Sequence, residues 1–98
     1  MARRAARTDD NQSEIVQMLR KIGASVQSLA MVGQGVPDLL VGFRGENFLF
    51  EIKDGNKPPS RRNLTSDEET WHMRWQGQVQ TVNSIDEALQ YLGLLDLM

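Results

Sequence analysis

Two runs rich in β-branched and aromatic residues, 38–43 and 47–54, flank the turn signal Arg44, Gly45 and Glu46, and this predicts a β-hairpin. Setting Phe43 opposite Phe48 puts Asp38 opposite Lys53 and Leu40 opposite Glu51. Leu39, Val41, Phe43, Phe48, Phe50 and Ile52 then share one sheet face, and Asp38, Leu40, Gly42, Leu49, Glu51 and Lys53 share the other. The first set is wholly apolar and is the expected core face. A one-residue slip would carry Glu51 among the phenylalanines, so the clean partition supports an even register.

The polar face has chemistry in it. Asp38 and Glu51 are diagonal neighbours in this register, with backbones roughly 7 to 8 Å apart, and carboxylates on such a diagonal can converge on one cation. Lys53 lies two residues beyond Glu51, and Gly42 leaves room nearby. Two carboxylates and an ammonium suit Mg²⁺, a hard ion that takes oxygen ligands and keeps several waters. A metal-bound water close to Lys53 would be a nucleophile, and the cation with Lys53 would stabilise charge building on a phosphate.

Around the hairpin, Ile15, Met18, Leu19 and Ile22 fall at helical spacing over residues 11–22, with Asn11 as N-cap, Glu14 three residues on and Gly23 as the stop. Residues 24–30 alternate as a strand. Gly33 and Gly35 mark a loop, where a tight turn is favoured over a phosphate cradle. Residues 55–63, with Pro58 and Pro59, can only be a loop. Thr65 with Glu68 forms a capping box for a helix to about Trp75, residues 78–82 alternate as a strand, and Ser84 with Glu87 forms a further capping box ahead of Ala88, Leu89 and Leu92. The expected fold class is α/β, in the order α-β-β-β-α-β-α: a mixed sheet flanked by helices.

Composition excludes several classes. The chain of 98 residues has no cysteine and one histidine, His72, so it has no disulfide framework, no thiolate metal site and no cysteine nucleophile. No apolar run approaches the ~20 residues of a membrane span, and a cytoplasmic setting without membrane contact is expected. The net charge of −2 is unevenly spread: residues 1–63 hold 10 basic and 7 acidic side chains, residues 64–98 hold 1 and 6. A polyanion would therefore meet the first two-thirds of the chain.

The blocks Gly35-Val36-Pro37-Asp38 and Glu51-Ile52-Lys53, with Leu64-Thr65 leading into a helix that carries Trp71, resemble the PD-(D/E)xK nucleases, and within them the VRR-NUC family in its stand-alone form from phages and bacteria. The likeness runs from Glu14 to about Leu92. It implies a restriction-endonuclease-like fold and a Mg²⁺- or Mn²⁺-dependent DNA endonuclease. In that reading Asp38, Glu51 and Lys53 are catalytic, and Glu14, Asp38, Glu51 and the carbonyl of Ile52 bind the metal. Glu14 doubles as the partner of Asn11 at the helix start. Many relatives carry a Gln in the helix after the catalytic strand, where this chain offers Glu68 or Glu69. Stand-alone members resemble Holliday junction resolvases, homodimers that cut two strands of a four-way junction; nicking, flap cutting and DNA binding without catalysis are the alternatives. A cell of bacterial type, or one infected by phage, is the implied setting.

Lys57, Arg61 and Arg62 lie in the Pro-bearing loop beside the site and are expected to contact DNA phosphates. Residues 1–10, with Arg3, Arg4 and Arg7, are expected to be a flexible basic arm ahead of one nuclease domain, 11–98. His72 is read as a packed or surface histidine, Trp71 and Trp75 at i, i+4 as core, and the apolar residues from Leu92 to Met98 as a surface for the domain itself or a second subunit.

Overall fold

The structure, a computed structural model, describes residues 9–94. The expected basic arm, with Arg3, Arg4 and Arg7, and the end of the apolar tail therefore lie outside the described residues, apart from Asp9 and Asp10 of the first and residues 92–94 of the second. The chain is a mixed α/β fold: α1 (Gln12–Lys21), β1 (Ser25–Ser28), β2 (Leu39–Phe43), β3 (Glu46–Ile52), α2 (Ser66–Arg74), β4 (Gln80–Val82) and α3 (Ile85–Tyr91). The four strands form one sheet in chain order, with β1, β2 and β3 antiparallel and β4 parallel to β3.

Face alternation explains the layers. Leu39, Val41, Phe50 and Ile52 point to one side of the sheet, where they meet Ile15 and Leu19 of α1, Ala88 of α3, Val82 and Leu92 in one buried cluster. Leu92, the first residue of the expected tail surface, thus belongs to this domain's own core, and Leu94 packs against the same cluster. The opposite side of the sheet carries Asp38, Leu40, Leu49, Glu51 and Lys53, and it receives α2.

The hairpin register is shifted from the expected one. Phe43 pairs with Glu46 and Leu39 with Phe50, so the loop is only Arg44 and Gly45. Both have positive φ, 50° and 81°, the signature of a type I′ turn, whose twist matches that of its strands. The shift is two residues. A two-residue shift preserves which face each side chain takes while changing every cross-strand partner.

Three local expectations are corrected. Asn11 precedes α1 but its side chain does not cap the helix; the amide instead donates to the carbonyls of Lys53, 3.0 Å, and Asn83, 3.2 Å, tying the helix start to the ends of β3 and β4. At α3 the Ser84 hydroxyl accepts from Glu87 N–H, but the Glu87 carboxylate accepts from Asn83, one residue before the cap, so the reciprocal half of the box is displaced. The segment expected to be loop alone contains a single 3₁₀ turn, Pro59–Arg61, because Pro59 presets φ at its first position. The Thr65/Glu68 capping box of α2 is present in both directions.

Candidate active site

The site begins where the β2–β3 ladder stops. One pair beyond Leu39 and Phe50, the same register would set Asp38 directly opposite Glu51, not diagonal to it, and next Pro37 opposite Ile52. Pro37 has no N–H to give, so pairing ends there. The Ile52 N–H is taken up by the Asp38 side chain, which accepts it at Oδ2 over 2.7 Å. In the continued register the Ile52 carbonyl would face Pro37, which cannot donate to it.

Helix α2 then closes over the carboxylates. Its N-terminus can approach because Gly35 has no side chain: a Cβ there would collide with the Asp67 carbonyl, and the φ of 82° also favours glycine. The Gly33–Gly35 segment is thus a tight turn seated on α2. From this helix Glu68 Oε1 meets Lys53 Nζ at 2.9 Å, and His72 Nε2 lies 3.4 Å from Glu51 Oε1. Glu51 is left 1% exposed, buried by α2 although it is not on the core face.

Burial and mutual repulsion govern the titration. Burial, then the charge of Asp38, pushes the Glu51 carboxyl up to about 10. Asp38 is also raised, by burial above all, although the Ile52 N–H works against it. The two carboxyl groups thus disfavour each other's ionised form, and burial works in the same direction on both. Burial pulls Lys53 down, but the Glu68 contact outweighs it and the ammonium is held above its usual value. Glu68 itself is lowered: burial raises it, and the Thr65 N–H and Lys53 more than compensate. Burial holds His72 below its ordinary value.

A divalent ion fits this donor set. Two carboxyl groups that burial and mutual repulsion push upward would both be favoured in the ionised form by a cation between them. Among the described residues no three His, Cys, Asp or Glu side chains converge as a ready cage. Asp38, Glu51, the Ile52 carbonyl and waters would make up the shell, as suits Mg²⁺ or Mn²⁺.

The remaining expected residues fall elsewhere. Glu14 is exposed on α1 and lines a polar cleft of about 490 Å³ with Asp54, Arg62 and Asp86. The acidic residue whose charge reaches Lys53 from the N-terminal side is Asp9. Lys57 is half-buried, Arg61 exposed in the 3₁₀ turn, and Arg62 half-buried with Nε unpaired. Trp71 and Trp75, expected in the core, are only partly covered and stack on each other with centroids 4.6 Å apart. The core face was already filled by α1 and α3, so α2 has no deep layer in which to sink its indoles. Glu68, which the sequence offers with Glu69 where relatives carry Gln, reaches the site, and so does His72, which the sequence alone reads as packed or at the surface; their i, i+4 spacing on one helix face is the signal for His72. No protein-family model, curated protein or solved structure matches the chain.

Proposed function

We propose that the protein is a divalent-metal-dependent DNA endonuclease that hydrolyses phosphodiester bonds. The observation that carries this reading is the buried Glu51 carboxyl set against half-buried Asp38 at the end of the β2–β3 ladder, with the Lys53 ammonium held by Glu68 of α2, which folds over them. A stability-driven fold gains little from two facing carboxyl groups, whereas a cation-dependent site needs them.

When bound, Mg²⁺ or Mn²⁺ would supply positive charge to a phosphate and acidify a coordinated water. Asp38 and Glu51 would hold the cation through their carboxylates. Glu51 would have to release its proton to do so, to water entering with the cation, because His72, 3.4 Å away, is held by burial below its ordinary value and is the weaker base. Lys53, fixed by Glu68, presents its ammonium to the phosphate and stabilises the charge that grows there. The α2 roof keeps bulk water from Glu51.

The resemblance extends the proposal to four-way junctions cut by a homodimer. Two cuts related by two-fold symmetry need two sites at fixed separation, which a C2 dimer provides. The test is cleavage of four-way, flapped and linear DNA with Mg²⁺ or with chelator, alongside sedimentation of the protein. Paired cuts in the junction and twice the chain mass are expected. A monomer that nicks once would replace the resolving role with nicking or flap cutting, and binding without Mg²⁺-dependent cleavage in any substrate would end the nuclease reading.

A further inference from the structure

Helix α2 covers the Glu51 end of the outer sheet face and leaves the rest open. There Leu40 is 37% exposed and Trp75 46% exposed. Between them is a cleft of about 540 Å³ lined by Val36, Leu40, Leu49, Trp71 and Trp75, with Asn47 and Gln78 at its rim. Its floor continues the catalytic face: Leu49 is two residues from Glu51 and Leu40 two from Asp38, each about 7 Å along its strand. Its wall continues it too, since Trp71 adjoins His72 with ring centroids 6.0 Å apart. On the far side of the indole pair, Arg74 borders a second cleft with Gln34, Asp67 and Thr70.

We propose that this cleft receives one unpaired nucleobase of the DNA, next to the phosphate held at Asp38, Glu51 and Lys53. This rests on the nuclease reading and narrows its substrate class to DNA with an unpaired or extrudable base beside the cut, such as the branch point of a junction. The chemistry fits on four counts. The walls are apolar and aromatic, suited to a flat ring entering between the indoles and Leu40 and Leu49. The step from the carboxylates to the cleft is the reach from a phosphate to its own base. Rim amides can bond a base edge: Gln78 Oε1 already accepts Leu49 N–H at 2.9 Å, which steadies that side chain and leaves its NH₂ to donate. Arg74, in the cleft with Asp67, and Lys53, paired with Glu68, are the cations on either side that the backbone could meet. A base inside a continuous duplex stays stacked and would not enter, so the cleft selects against plain duplex.

The probe is a duplex with one 2-aminopurine in an unpaired position, compared with the same base fully paired, each titrated in Ca²⁺ to prevent cutting. Quenching is expected on binding the unpaired base and not the paired one. Trp75→Ala should abolish the quench and weaken the unpaired-base complex by roughly 5- to 150-fold, the range for losing one base–aromatic stack. Leu40→Glu, which fills the cleft from the exposed sheet side, should erase the preference for the unpaired base. Equal quenching of both duplexes, unchanged affinity in both variants, or a loss of dimer mass in Trp75→Ala that marks the cleft as a subunit contact would each overturn the proposal. Cleavage in Mg²⁺ is scored separately. Quenching without cleavage would remove the nuclease reading and keep the base site; cleavage without quenching would do the reverse.

Discussion

At the scale of single residues, Glu51 governs how the protein responds to pH. In the unfolded chain its carboxyl titrates near the ordinary 4.5, and in the fold near 10. Between those values the folded state keeps a proton that the unfolded state has lost, so metal-free stability must fall as pH rises, by at most about 1.4 kcal/mol per pH unit. The melting temperature without metal should therefore decline from pH 5 to pH 9. Glu51→Gln should remove most of that slope, and Mg²⁺ should raise stability more at pH 9 than at pH 6. A flat profile in the unsubstituted protein would show that Glu51 is ionised without help. Lys53 differs in kind, because its ammonium is held by Glu68 and lies beside the carboxylates as a cation, not a ligand. Lys53→Ala should retain Mg²⁺ binding in calorimetry while cleavage drops by orders of magnitude; loss of both would make Lys53 part of site assembly.

At the scale of elements, α2 decides whether there is a site at all. Its first turn is fixed by the Thr65/Glu68 box, with Glu68 N–H donating to Thr65 Oγ1 over 3.2 Å and Thr65 N–H to Glu68 Oε1 over 2.9 Å. The same Glu68 oxygen accepts from Lys53, so the cap and the site share an atom. Thr65→Ala should cost about 0.5 to 2 kcal/mol in urea unfolding. The Thr65 N–H that holds the Glu68 carboxylate is kept by alanine, so kcat should change little; a large fall would show that the hydroxyl, through the helix start, also aims Glu68. The sequence revealed the box, the order of elements and the two faces of the hairpin, because all three depend on local spacing. It concealed the register, since a tight I′ turn required Arg44 to take a positive φ that its side chain disfavours. The long-range ties of Asn11 to Lys53 and Asn83, and of His72 to Glu51, stay hidden, since only packed elements bring such residues together.

At the scale of the whole molecule, charge is divided by region, with the basic excess over residues 1–63 and the acidic excess beyond. The proposed DNA substrate should approach the basic region. Replacing Lys57, Arg61 and Arg62 with Ala should flatten the log–log salt dependence of binding by about 0.9 for each duplex phosphate that is no longer neutralised. An unchanged slope would leave those residues as solvated loop. Leu92 is buried in the core of its own domain, which narrows the surface left for a second subunit.

The parallel pairing of β3 with β4 has a consequence in time as well as in space. Parallel neighbours cannot be joined by a tight turn, and here the connection, residues 53–79, contains Lys53, the basic segment and all of α2. The hairpin closes over two residues, whereas this connection must close a far longer loop before its contacts reward it. Nascent chains should thus bring the two carboxyl groups together first and acquire their roof last. In pulse-labelled hydrogen exchange the β2 and β3 amides should be protected before those of α2, and simultaneous protection would contradict that order. A chain caught between the two stages would own the ligands of a metal site with no walls around it, so competence to cut would be the last property to appear.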